Sequence, residues 1–288
     1  MRRIVVKLGT NVIMRPDGKV ALGLLCGLVE QIAALRNLGI DVLVVSSGAI
    51  ALGVARLGLT ERPKALKQMQ ACAAIGQSRL MALYDDAFDR LDCRIAQVLL
   101  TEDDFLDPVR HGNLRATLHA LLEMGIIPIV NENDTVSTME LDRPLAPPAR
   151  VNDEQGEHIS ALLTNGTQSR VFGDNDKLSA LLLTHIDADL LVLLSDVDGL
   201  YDRNPAEPGA KVIPSLSFID KGVLELAHGG NGRGRGGMLS KLESARIALD
   251  AGKEVVIANG RTPFVLERIV AGQPVGTRFT ARTAEVAR

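Results

Sequence analysis

Lys7 leaves the apolar run Ile4–Val6 and is followed by Leu8, Gly9 and Thr10. A lysine closing a buried strand, with a glycine turn behind it, presents one cation and free N–H groups. Phosphate suits both. A surface lysine that happens to end a strand is the plainer alternative. Ser46-Ser47-Gly48-Ala49-Ile50 reads as a tight turn from strand to helix, whose amides could meet an anion such as a carboxylate. It is not the GxSxG elbow of hydrolases, because Val45 stands where the first glycine should be. An ordinary strand-to-helix turn stays open.

Asn131-Glu132-Asn133-Asp134 sets four polar residues after Ile126–Val130. A carboxylate there could bind a substrate ammonium, or the stretch could be a capped loop. Gly173-Asp174-Asn175-Asp176 precedes Lys177-Leu178-Ser179-Ala180. Helix capping explains one of its polar residues but not three in a row. The spaced oxygens and distal glutamate of an EF-hand are missing. Ser195-Asp196-Val197-Asp198-Gly199 is an acidic turn that could contact a ribose, a base or a metal, or simply be a turn. Gly229–Gly237 holds six glycines in nine residues and runs into Met238-Leu239-Ser240-Lys241. Mobile glycines let backbone approach phosphates, and Lys241 adds charge. GxxxxGK[ST] occurs nowhere, so this is not a Walker A loop. Arg233 and Arg235 give only thin support for an RNA-binding Gly/Arg segment. The five histidines, His111, His119, His158, His185 and His228, are scattered, which argues against a histidine-centred triad or a zinc site.

These stretches need elements to hold them. Strands are expected at Ile4–Val6, Val42–Val45, Ile95–Leu100, Ile126–Val130, Leu190–Leu194 and Glu254–Ala258. Leu22, Leu25, Val29, Ile32 and Leu35 recur at helical spacing, with Gly39 as a stop. A long Ala/Leu/Gln helix is expected from Pro63 to about Leu91, with a break near Gly76. Further helices are expected over Asn113–Glu123, Asp176 to about Ile186, and Met238–Asp250. Residues 138–172, with Pro144, Pro147 and Pro148, read as an inserted loop or small subdomain. Alternating strands and helices of these lengths imply a mostly parallel sheet covered on both faces. In such sheets ligands bind beyond the carboxyl ends of the strands, where the polar stretches fall. No internal repeat and no second hydrophobic core is evident.

Composition narrows the function. The 288 residues carry 32 Lys plus Arg against 35 Asp plus Glu, a formal net charge of −3. That near-neutral balance argues against a nucleic-acid partner. Two Tyr, six Phe and no Trp leave too few rings for base-stacking platforms. Cys26, Cys72 and Cys93 form no CxxC pair, and a reduced cytoplasmic setting is the expectation. The apolar run after Met1-Arg2-Arg3 is too short for a signal peptide. No run approaches the roughly 18 residues a membrane helix needs, so no membrane partner is expected.

Taken in order, Val5–Thr10 (VVKLGT), Val45–Ile50 (VSSGAI), Ile129–Val136 (IVNENDTV), Gly173–Ala180 (GDNDKLSA), Leu194–Tyr201 (LSDVDGLY) and Gly236–Lys241 (GGMLSK) resemble the motifs of the amino acid kinase family. The resemblance spans nearly the whole chain. It implies the family's three-layer αβα sandwich with a mostly parallel central sheet. The stretches Ile129–Val136 and Gly173–Ala180 are most specific to the branch that uses ATP to phosphorylate the γ-carboxylate of L-glutamate, the first step of proline synthesis. Carried over by motif, the resemblance makes Lys7, Asp176 and Lys241 catalytic, with the lysines gripping the transferring phosphoryl group and Asp176 orienting them. Ser47, Gly48, Ala49, Asn131, Asp134 and Asn175 would hold glutamate. Lys7, Gly9, Thr10, Ser195, Asp196, Arg235, Gly236, Gly237, Met238, Leu239, Ser240 and Lys241 would hold ATP, with Mg²⁺ bridging its phosphates and no protein-built metal site. Feedback inhibition by proline and a homo-oligomer, dimer or tetramer, are implied likewise.

Two departures are expected to matter. Many members of that branch carry a C-terminal PUA domain, and this chain is expected to be a single kinase domain without one. The connection from Val136 to Gly173 is longer than usual, and its expected role is in proline inhibition or assembly. The competing readings are a sibling kinase acting on another carboxylate or phosphate, and a non-catalytic nucleotide-binding protein. Asp134 discriminates the first, because it suits a free ammonium that an N-acetylated substrate lacks. Retention of both lysines and Asp176 argues against the second.

Overall fold

A computed structural model describes residues 1–136, 175–227 and 237–280. The elements run β1 (Arg3–Leu8), α1 (Thr10–Ile13), α2 (Leu22–Asn37), β2 (Asp41–Ser46), α3 (Ala49–Arg56), α4 (Leu66–Asp89) and β3 (Ile95–Leu100). Then come α5 (Asp103–Leu106), α6 (Pro108–Glu123), β4 (Ile127–Glu132), α7 (Asn175–His185), β5 (Leu190–Ser195) and β6 (Ser215–Leu216). The last are α8 (Lys221–Leu226), α9 (Met238–Asp250), β7 (Glu254–Asn259), α10 (Val265–Val270) and β8 (Thr277–Phe279).

The described strands form one eight-stranded sheet in the order β3-β4-β2-β1-β5-β7-β8-β6. Every pairing is parallel except β7 with β8. The central strands are continuous runs of Val, Leu and Ile with both faces covered, as a parallel sheet requires. Alternation along each strand sorts side chains by face. Ile4, Val6 and Leu8 of β1 join α2, α3, α4 and α10 in one apolar layer. Val5 joins α6, α7 and α9 in the other. The chain thus has two apolar layers, where the sequence reading saw a single core. Both belong to one sheet, which completes the three-layer αβα sandwich.

From β1 the chain adds β2 alongside, places β3 at the edge, returns with β4 between β2 and β3, and then adds β5 on the other side of β1. Strand order reverses at β1, where ligands gather in open α/β sheets.

Several boundaries differ from expectation. The long helix α4 starts at Leu66, past Pro63, and shows no break at Gly76. A Cβ on Gly76 would sit 1.7 Å from the Ala49 carbonyl oxygen, and one on Gly53 would sit 1.9 Å from that of Cys72. These glycines let α3 and α4 touch backbone to backbone. Helix α6 starts at Pro108 rather than Asn113. The Asp107 carboxylate accepts from the N–H groups of Val109 and Arg110, and Pro108 fits the first turn. Strand β4 continues through Asn131 and Glu132, so these two lie in the sheet rather than in a loop. The short elements α1, α5, α8, α10, β6 and β8 were not anticipated. The insert expected over residues 138–172 lies outside the described residues. Among the described residues no helix is long and apolar enough to cross a membrane.

Candidate active site

On β1, Lys7 alternates with Val6 and so shares Val5's face, the side of the sheet covered by α7 and α9. Helix α7 brings Asp176 in its first turn, and α9 brings Lys241. The three converge. Lys7 Nζ lies 2.5 Å from Asp176 Oδ1, and Lys241 Nζ donates to Asp176 Oδ2 at 3.0 Å. All three side chains are almost wholly removed from solvent, 0% exposed at Asp176 and 4% at each lysine. Burial pushes the Asp176 carboxyl up, but the two ammonium groups outweigh it and hold it below the ordinary carboxylate range. One carboxylate between two ammonium groups leaves a surplus positive charge at the sheet's carboxyl edge.

Beside this triad, β2 ends at Ser46 and turns at Gly48, whose φ of +102° favours glycine. Ala49 then opens α3. Free N–H groups were expected in the turns after β1 and β2, and two amides there are not free. Gly9 N–H donates to the Leu194 carbonyl at 3.1 Å and Ser47 N–H to that of Leu8 at 3.1 Å, so both are committed to the fold. What stays open to an anion is the first turn of α3, whose amides have no intrahelical acceptor. Gly9 also fits its place closely, since a Cβ there would meet the Leu194 carbonyl oxygen at 3.2 Å.

Asn175 starts α7 and reaches across to this turn. Its Nδ2 donates to the Ser46 carbonyl at 3.0 Å, to Ser47 Oγ at 3.0 Å and to Asn131 Oδ1 at 2.9 Å. Three of the expected glutamate-site residues, Ser47, Asn131 and Asn175, are therefore in direct contact. Asp134 follows β4 in a half-buried turn at the same edge. On the expected ATP side, Thr10 opens α1, and Ser195 ends β5 with its hydroxyl donating to Asp196 at 3.2 Å. Asp196 is exposed and accepts from Asn11 Nδ2 at 2.9 Å. Gly237 caps α9, and Met238, Leu239 and Ser240 form its half-buried first turn. Arg235 and Gly236 lie outside the described residues.

Sequence reasoning missed Gln77 of α4, whose Oε1 accepts from Asn131 Nδ2 at 2.9 Å. It also missed Asn11 and Asn259, which hold the acidic turn after β5 through Asp196 and Asp198. Nothing in spacing marks these amides, since each acts across a long sequence separation.

The family model described as the amino acid kinase family matches residues 2–259. The chain belongs to the amino acid kinase family. A glutamate 5-kinase of Lactiplantibacillus plantarum is 41% identical over 280 residues, covering 96% of this chain and 96% of that protein. Glutamate 5-kinases of Gloeobacter violaceus and Caldanaerobacter subterraneus are 44% and 41% identical, covering 97% and 96% of this chain and 68% and 67% of those proteins. Among solved structures, the isopentenyl phosphate kinase of T. acidophilum in a product complex aligns with a TM-score of 0.61 at 16% identity, covering 97% of this chain and 100% of that one. The UMP kinase of Bacillus anthracis aligns at 0.59 and 15%, covering 98% and 97%. At those identities the likeness is one of fold. This amino acid kinase has the sheet order, the two covered faces and the edge site just described.

Proposed function

We propose that this amino acid kinase transfers the γ-phosphoryl group of ATP to the γ-carboxylate of L-glutamate, giving γ-glutamyl phosphate and ADP in the proline pathway. The observation that carries the reading is the buried Lys7–Asp176–Lys241 triad at the carboxyl edge of β1, together with relatives named for this activity.

The chemistry follows from charge. A glutamate side chain with an ordinary pKa of about 4.3 is ionised at neutral pH and needs no general base. Its oxygen attacks the γ-phosphorus, the bond to the bridging oxygen of ADP breaks, and the electron pair leaves on that oxygen. Positioning and positive charge do the rest. Lys7 and Lys241 meet the charge on the transferring group, and Asp176 keeps both ammonium groups aimed. Ser47, Gly48, Ala49, Asn131, Asp134 and Asn175 hold glutamate. The turns at Gly9, Thr10, Ser195 and Asp196, with Gly237 to Ser240, hold the nucleotide.

Among the described residues no group of three or more His, Cys, Asp or Glu side chains could cage a metal, and both oxygens of Asp176 are engaged by lysines. In this reading the magnesium ion arrives with the phosphates of ATP. When bound, the ion would neutralise phosphate charge. Inhibition by proline and assembly into a homo-oligomer belong to the same reading and rest on the family alone.

An acceptor panel tests it. ADP release is measured with ATP, Mg²⁺ and, separately, L-glutamate, N-acetylglutamate, L-aspartate and UMP, with a parallel proline arm. Turnover with glutamate, and far less with the others, is the expected result. Turnover with another acceptor alone moves the substrate to a sibling kinase.

A further inference from the structure

The amides beneath the substrate turn form a chain whose polarity is fixed at two points by backbone atoms. The Glu132 N–H can only donate, and it donates to Asn131 Oδ1 at 2.9 Å. Asn131 must therefore turn its Nδ2 the other way, onto Gln77 Oε1 at 2.9 Å. The Ser46 carbonyl can only accept, and it accepts from Asn175 Nδ2 at 3.0 Å. Asn175 therefore also gives its Nδ2 to Asn131 Oδ1. Two independent backbone groups agree on one direction for the chain Asn175, Asn131, Gln77.

The consequence falls on the atom left over. Asn175 Oδ1 is buried and has no hydrogen-bond partner among the described residues. A buried acceptor without a donor is costly to maintain, and a ligand that supplies the donor is favoured by the same amount. Asn131 is itself only 2% exposed, and Gln77 Oε1 is the acceptor its buried Nδ2 meets.

We infer that Gln77 is a positioning residue for the acceptor substrate: by accepting from Asn131 Nδ2 it holds in place the side chain whose Oδ1 anchors Asn175, and Asn175 so held keeps its own Oδ1 for an ammonium donor. This rests on the glutamate reading above and deepens it. Gln77 touches no substrate in this account. It acts through Asn131 and Asn175, and it makes the site select an acceptor that carries a free amino group.

The test compares Gln77→Met and Gln77→Ala, which remove the acceptor, with Gln77→Glu, which keeps one. Steady-state kinetics are run with glutamate and with glutarate, which lacks the ammonium, and ATP binding confirms folding. The expected result is a KM for glutamate raised about tenfold in Gln77→Met and Gln77→Ala, with KM for ATP unchanged. The preference for glutamate over glutarate should shrink by a similar factor, and Gln77→Glu should restore both. Glutamate kinetics within about twofold of wild type in the two acceptor-free variants overturns the inference. So does an equal rise in KM for ATP, or a Gln77→Glu variant as impaired as Gln77→Met. A wild-type enzyme inert toward glutamate overturns the substrate reading and the inference together, and that result shows in the wild type before any variant is made.

Discussion

Lys7, Asp176 and Lys241 are an ion triad in which every member depends on the others. Two ammonium groups this deep would repel each other without the carboxylate between them, and the carboxylate would be protonated without them. Asp176→Asn leaves two like charges buried around a neutral amide. Removing one partner of such a buried pair costs about 3–5 kcal/mol. Denaturant unfolding should show that loss, and ATP should restore more stability to Asp176→Asn than to the wild type, because its phosphates replace the missing negative charge. A variant as stable as the parent in the absence of ATP would contradict the triad's structural role. Lys7→Ala and Lys241→Ala should lower kcat by about a hundredfold or more while KM for glutamate changes little, since the charge is needed mainly in the transition state. Much of this was legible in the sequence. Lys7 stood at the end of a β-branched run, and Asp176 followed more polar residues than a cap requires. Gln77 was not legible, because one glutamine in a helix containing Gln68, Gln70 and Gln77 carries no mark until β4 is packed against it.

Helices α3 and α4 show how an element can be misread from its composition. Gly76 looked like a weak point in a helix. It is a contact point, with the Ala49 carbonyl where its side chain would be. Gly76→Ala should raise intrinsic helix propensity by roughly 1 kcal/mol and still destabilise the protein, because backbone cannot move aside as a side chain can. The displaced atom belongs to the first residue of α3, so KM for glutamate should rise too. Thermal unfolding and kinetics on the same preparation check both, and a stabilised variant would contradict the packing account. A second element-level effect lies where α6 meets α7. His185, at the end of α7, is buried with its ring 4.0 Å centre to centre from that of His111. Burial, and the nearby His111, Arg115 and His119 of α6, push His185 down to about 3 from an ordinary 6.5. The unfolded chain takes up that proton near pH 6.5, whereas the folded one refuses it until about 3. Stability is full above 6.5 and declines as pH falls through that window, approaching about 1.4 kcal/mol per pH unit from this group. Between pH 6.5 and 4.5, His185→Leu should flatten the decline. An unchanged slope would remove His185 as its source.

For the whole molecule, the sheet explains why one edge gathers the described residues proposed to bind and react. β1 lies between β2 and β5, and strand order reverses there, so the turns after three neighbouring strands open onto one crevice. Alternation along β1 then decides which face the chemistry uses: Lys7 follows Val5 onto the side of α7 and α9, whose first turns carry Asp176 and Lys241. The parallel architecture was legible because its central strands are uniformly apolar and separated by helix-length stretches. The far edge was not. β6 and β8 have two and three residues, and they are ordered by partners distant in sequence rather than by their own pattern. The most direct test of the account is to trap the product. Wild type, Lys7→Ala and Lys241→Ala are incubated with ATP, Mg²⁺, L-glutamate and hydroxylamine, and γ-glutamyl hydroxamate is measured against ADP. The account predicts hydroxamate matching ADP in the wild type and a loss of both in each lysine variant. ADP without hydroxamate, or undiminished hydroxamate in both variants, would contradict it.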